Sequence, residues 1–175
     1  MKTSPVSVLI KSMLIFSFLI LVIGCTHHLV PNAQRVNENR ISDFTTTQRI
    51  NIVNNQPSTE KVTFLSGMNT YYGNLNEWTD EAVNLLKMEL QQKGAAIDPG
   101  ADKVIKLSII EAKLIQGAIR LRCDLNLRVE TGDGYTNEFF VQNLSGGDHA
   151  RASGGAITLA LTDMLNDKNI IEYLK

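Results

Sequence analysis

Cys25 offers the most chemistry of any residue in this chain. It follows Leu21-Val22-Ile23-Gly24 at the end of an apolar run and stands directly before a polar segment. The other cysteine, Cys123, falls in the apolar phase of an alternating run, which predicts a buried and inert thiol. His149 sits in Ser145-Gly146-Gly147-Asp148-His149, with Ser153 close behind. A hydrolase would use such residues as nucleophile, base and orienting acid. Sequence adjacency of Asp148 does not itself orient an imidazole, and a solvated strand-to-helix loop is the plainer reading. His27 and His28 are adjacent but have no carboxylate or cysteine cluster beside them, so no metal site is expected. Ser145-Gly146-Gly147 and Ser153-Gly154-Gly155 precede helical sequence, where glycine-rich backbone can cradle phosphate. No lysine follows as in a phosphate-binding loop, and structural glycines are the plainer reading. Arg120, Arg122 and Arg128 share one phase of a strand and form a possible surface for lipid phosphates or an acidic partner. Asp124 and Glu130 lie in the same phase and can neutralise them.

The chain before Cys25 has the parts of a secretory signal: Lys2 and Lys11, then an apolar core from Met13 to Ile23 interrupted only by Ser17. Eleven residues of helix rise about 16 Å, half the depth of a ~30 Å hydrocarbon layer. A permanent span is therefore the weaker reading, although a snorkelling Lys11 would lengthen it. Val22-Ile23-Gly24-Cys25 resembles the lipobox of bacterial lipoproteins, in which the cysteine thiol takes a diacylglycerol, the signal is cut before it, and the new amine is acylated. Two or three acyl chains anchor a protein stably where one does so only marginally. The alternative is an ordinary signal peptide with a chance cysteine. Thr26, in place of Asp, favours the outer membrane over the inner one by the same resemblance.

From Cys25 to Lys175 there are 151 residues, enough for one domain with a real core. Without Lys2 and Lys11 that stretch has 15 basic and 18 acidic residues, a formal charge of −3. No basic excess points to nucleic acid. If Cys25 is lipidated, Cys123 lacks a partner in its own chain, so this is not a disulfide scaffold.

The elements that must position these residues follow from periodicity. Residues 25–46 are polar and weakly periodic, and read as a lipidated cysteine followed by a flexible tether. Residues 47–175 read as one domain. Gln48–Val53 alternates as a strand, and Lys61–Leu65 is a second short one with Val62 and Phe64 on one face. Ser66–Leu75, with Tyr71 and Tyr72, reads as a loop. Asn76–Lys93 is the clearest helix, with Asn76 or Thr79 as cap, Trp78, Ala82, Leu85, Leu86 and Leu90 on one face, and Gly94 as a stop. In Asp102–Ile115 the apolar phase switches between Ile109 and Ile110, which predicts a bulge or two covered faces. Ile119 to Glu130 alternates through Leu121, Cys123, Leu125, Leu127 and Val129 as a strand with one wet face. Thr131-Gly132-Asp133-Gly134 supplies a hairpin turn, and Tyr135–Leu144 returns as a third strand. Ala150–Leu165 reads as a second helix, its regular part beginning at Ser153 because Gly154 and Gly155 weaken the start. Asn169–Leu174 adds a short final helix. Burying two single-striped helices against half-wet strands yields an α+β two-layer sandwich: a mostly antiparallel sheet of about four strands with two helices packed on one face.

The chain resembles the YajG family of small bacterial lipoproteins. The resemblance runs through the lipobox, Leu90-Gln91-Gln92-Lys93-Gly94, Val104-Ile105-Lys106-Leu107-Ser108-Ile109, the Arg122–Glu130 strand, its Gly-Asp-Gly turn, and Leu161-Thr162-Asp163-Met164-Leu165. It implies a cell-outer-membrane, periplasm-facing location and a helix-on-sheet shape, and it carries over no catalytic residue and no cofactor. The expectation is a non-catalytic, lipid-anchored envelope protein that binds or supports another envelope component. The alternatives are an auxiliary subunit handling lipid or lipopolysaccharide, and a hydrolase around His149.

Overall fold

A computed structural model of the protein describes residues 25–65 and 69–175. The apolar run, including Val22, Ile23 and Gly24, lies outside the described residues. The domain is α+β. Its strands are β1 (Cys25–His28), β2 (Arg49–Asn54), β3 (Val62–Leu65), β4 (Asn69–Gly73), β5 (Ala96–Ile97), β6 (Lys103–Gln116), β7 (Leu121–Thr131) and β8 (Thr136–Ser145). Its helices are α1 (Leu75–Gln92), α2 (His149–Met164) and α3 (Lys168–Leu174).

The strands form two sheets rather than one sheet of about four strands. The larger has the order β5-β2-β6-β7-β8, and the smaller β1-β4-β3. In the larger sheet β6, β7 and β8 form the antiparallel meander expected from the alternation, with Leu107 opposite Val129 and Leu125 opposite Val141. β2 runs parallel to β6, because α1 forms the crossover between them. The expected phase change in β6 is a β-bulge between Ile109 and Glu111. It lets Ile105, Leu107 and Ile109 face the helices before the break and Leu114 face the core after it.

α1 begins where the Asn74 side chain accepts the Glu77 amide at 2.7 Å, not at Asn76 or Thr79. Thr79 instead accepts the Ile109 amide at 3.0 Å, fixing helix to strand. Trp78, Ala82, Leu85, Leu86 and Leu90 are all buried, as their spacing predicts. α1 ends at Gly94, whose φ of +99° is accessible to glycine at little cost. Its apolar stripe and that of α2 pack on the inner face of the larger sheet beside each other, α1 on β2 and β6, α2 on β7 and β8. α2 is regular from His149, capped by Asp148, so the expected late start at Ser153 is incorrect.

The segment expected as a tether over 25–46 is packed on the domain. Cys25 to His28 pair in parallel with Asn69 to Tyr72, which makes Asn69–Gly73 a strand rather than a loop. Leu29, Val36, Ile41 and Phe44 then enter the core, and the Leu29 carbonyl accepts the buried Trp78 indole N–H at 3.1 Å. Further along, Arg35 and the Val36 amide bind the buried Glu89 carboxylate at 2.7 and 3.1 Å. This strap crosses α2 at Gly154. The Asn32 amide donates to the Ala150 carbonyl at 3.0 Å, and Thr158 Oγ1 both accepts the Gln34 amide and donates to its carbonyl.

Gly154 is the position that permits the crossing, since a Cβ there would stand 1.9 Å from the Asn32 carbonyl oxygen. Helix propensity alone favours Ala over Gly by ~1 kcal/mol. Overpacking against backbone has the opposite sign and the larger size, so Gly154→Ala is expected to destabilise the fold by about 3 kcal/mol in urea titration. Gly146→Ala, where a Cβ meets nothing within 4 Å, is expected to change stability by less than about 0.5 kcal/mol.

Candidate functional site

The described chain has two poles. α1 and α2 both start at one of them. The β6–β7 hairpin turns there at Gly117–Arg120, and Leu121 pairs with Ser145, four residues before His149. β1 belongs to the same pole, because the His27 ring stacks on Tyr71 at 5.1 Å and Tyr71 stacks on His149 at 3.9 Å. Cys25 is exposed and opens β1. The opposite pole holds α3, where the Tyr173 hydroxyl accepts the amides of Val104 and Gly132 at 2.8 and 3.2 Å.

The three arginines expected to form one row do not act alike. Arg122 donates through Nη2 to Asp124 at 3.0 Å, and its Nε lies 2.9 Å from the other Asp124 oxygen without being aimed at it. Arg128 donates twice to Glu138 Oε1, at 3.0 and 2.7 Å, and this holds the Glu138 carboxyl below the usual range. Glu130, expected as a partner for this row, instead pairs with Lys106 at 2.6 Å. Arg120 lies in the hairpin turn rather than on the strand and has no ion-pair partner among the described residues. Ile119, expected on the core face, is 88% exposed at the tip. Leu144 and Phe140, 58% and 62% exposed, share the outer face of β8. A groove of about 600 Å³ runs between Ile115, Ile119, Arg120, Arg122 and Leu144. The outer sheet face is thus part apolar at this pole, a feature the strict alternation of β7 conceals.

Around His149 no nucleophile and base come together among the described residues. The Ser153 hydroxyl donates to the His149 and Ala150 carbonyls of its own helix, at 3.0 and 3.1 Å. Ser145 Oγ accepts the Gly147 amide, and Asp148 caps α2 by accepting the Arg151 amide at 2.7 Å. His149 Nε2 has no hydrogen-bond partner among those residues. The Gly154-Gly155 pair is no phosphate cradle. Gly154 receives the strap, and Gly155 receives Asn143, whose amide donates to the Ala152 carbonyl at 2.9 Å. His28 is exposed, and its Nε2 lies 2.8 Å from Glu77 Oε2. Cys123 is fully buried on β7, and that burial pushes its thiol pKa up to about 12.

A second concavity, of about 370 Å³, was not foreseen. Arg35 and Arg40 of the strap, Arg151 and Thr158 of α2, and Asn143 of β8 line it, and no carboxylate does. Arg35 is committed to Glu89, whereas Arg40 has no ion-pair partner among the described residues, and Arg151 stands 3.9 Å from an exposed Asp148. Guanidinium and amide donors converging there suit an anionic polar group. The spacing of Arg35 and Arg40 from Arg151 in sequence left no signal for it.

No family model matches the chain, and no curated protein matches it. Among solved structures it is similar to the crystal structure of protein XCC0632 from Xanthomonas campestris, of the family DUF330. The two share 12% identity over 85% of this chain and 94% of that one, with a TM-score of 0.51. At that identity the likeness concerns the fold alone: an α+β domain of antiparallel strands and a few helices.

The stacked imidazole predicts a pH dependence. Burial holds the His149 pKa below its usual value, against the opposing pull of Asp148. The unfolded chain therefore binds the proton first. This contribution is fully present above about pH 6.5 and is lost as pH falls toward the lowered folded value. His149→Phe, which keeps a ring on Tyr71, is expected to shrink the drop in Tm between about pH 7 and about pH 5. An unchanged drop would assign the acid loss to other groups.

Proposed function

We propose that this chain is a lipid-anchored cell-envelope lipoprotein, non-catalytic, that binds or supports another envelope component. The observation that carries the reading is Cys25, an exposed thiol directly after Val22-Ile23-Gly24 and at the first strand of the domain. Acylation there holds the domain to a membrane through two or three chains. The resemblance to the YajG family and Thr26 after the cysteine support the outer membrane, with the domain facing the periplasm. Its partner is then another protein of the envelope. The commitment of Ser145, Asp148 and Ser153 to backbone supports a binding role over hydrolysis at His149.

Cys25→Ser is expected to abolish incorporation of labelled palmitate and to move the chain from the membrane to the soluble fraction. Palmitate retained in that variant would overturn Cys25 as the anchor.

The arginine cleft favours a second reading, an auxiliary subunit that handles lipid or lipopolysaccharide. Buried side chains fill the interior between helices and sheet, with Leu107, Leu125, Leu127, Leu86 and Ile157 at most 1% exposed. A lipid would therefore be held by its phosphorylated headgroup at the surface, not by its tails inside. Charge-assisted hydrogen bonds contribute about 1.5–3 kcal/mol each, so Arg40→Glu with Arg151→Glu is expected to weaken binding to lipopolysaccharide by at least about tenfold. Equal binding by wild type and variant, measured by calorimetry, would remove the cleft from this role.

A further inference from the structure

We propose that the pole carrying Cys25 rests against the lipid headgroups of the anionic bilayer that holds the anchor, with Ile119 and Leu144 entering the headgroup layer and Arg120 meeting lipid phosphates. The proposal rests on the lipid-anchor reading. Three observations carry it.

The first is the absence of a spacer. Cys25 is paired with Asn69 in β1, and the strap that follows is fixed by Leu29, Val36 and Glu89. Acyl chains on Cys25 would leave the domain at contact distance from the bilayer. The second is the convergence of chain segments. From Cys25, Thr26 leads to His27, and its stack through Tyr71 to His149 reaches the start of α2. The loop before α2 leads to Ser145, opposite Leu121 at the base of the hairpin. Anchor and hairpin tip therefore share one end of the molecule. The third is the chemistry of that end. Ile119 is 88% exposed and Leu144 58% exposed, and both line one groove together with Arg120 and Arg122. Apolar side chains beside arginine are the composition of a surface that sits at a membrane interface.

Two aliphatic side chains would not by themselves hold a protein on a bilayer. The anchor supplies the missing part, because a tethered contact is intramolecular and a weak one is then sufficient to set orientation. The tip fixes which way the domain faces, and the acyl chains fix that it stays.

The test uses the full acylated chain reconstituted in vesicles of phosphatidylethanolamine and phosphatidylglycerol. Ile119→Cys and, separately, Glu172→Cys on α3 carry a polarity-sensitive fluorophore. Acylated Cys25 has no free thiol, and buried Cys123, with its pKa at about 12, stays unlabelled in the folded protein. The expected result is a blue-shifted label at 119, quenched by brominated lipid several-fold more than the label at 172. Equal quenching at the two positions, on protein whose mass proves acylation, would overturn the proposal while leaving the anchor intact. A label at 119 protected in native membranes but wet in vesicles would assign the pole to a protein partner instead, and overturns it too. An unmodified Cys25 in a soluble chain would overturn both the anchor reading and this inference.

Discussion

The Glu89 carboxylate, only 1% exposed, is the fixed point on which the N-terminal half of this structure depends. It lies on α1, faces the strap, and accepts from both the Arg35 guanidinium and the Val36 amide. A buried carboxylate is costly unless its oxygens are satisfied, and each partner it has belongs to the strap. The converse also holds, since the buried Val36 amide would be an orphan donor without Glu89. The pairing therefore acts as a register mark. It sets where residues 29–46 lie on the helices, and through them where β1 and Cys25 emerge. Arg35 stays half exposed, so the attraction is screened and its value is in placement more than in stability.

That constraint changes what an anchor at Cys25 would mean. A flexible segment of about twenty residues would average roughly 25 Å between its ends and let the domain turn freely above the bilayer. A strap in the core has no such freedom. The Trp78 indole bonds to the Leu29 carbonyl, and Gly154 accepts the Asn32 backbone where a methyl group would not fit. Both contacts use features of the domain that the strap explains: a buried indole donor, and Gly154 within a helix.

Much of the central sheet was legible because burial there is one-sided and periodic. Cys123, Leu125, Leu127 and Val129 announce β7, the switch at Ile109 announces the bulge, and the stripe from Trp78 to Leu90 announces α1. The strap was not legible. Its core residues, Leu29, Val36, Ile41 and Phe44, come singly at irregular intervals, so no period marks them, and a polar composition dominates the stretch. β4 was hidden for a related reason: Asn69–Gly73 is a polar and aromatic run that becomes a strand only because β1 and β3 flank it. Ile119 misled by continuing the alternation of β7 into the turn, where the tip leaves the core behind. Of the candidate residues, Cys25 is singled out in the sequence by its apolar prelude, and the structure adds that it is exposed at the start of β1. The arginine cleft was not, because Arg151 meets the strap arginines only through the crossing at Gly154.

A seated pole would also decide what the rest of the surface is free to do. The eleven residues of β7 extend roughly 36 Å at 3.3 Å per residue, so α3 and the Gly132–Gly134 turn would stand about that far from the headgroups. Arg122 and Arg128 illustrate the gradient along that distance. Both are ion-paired within the sheet, to Asp124 and Glu138, and pairs of this kind leave little net charge to attract a distant anion. Among the described residues, the arginines without such partners are Arg120 in the hairpin turn and Arg40 in the strap. One belongs to the pole that carries Cys25. The other lines a cleft beside α2, a flank that remains open when the pole is covered. Membrane contact and ligand or partner contact would then use separate surfaces, and neither would have to be broken for the other to form.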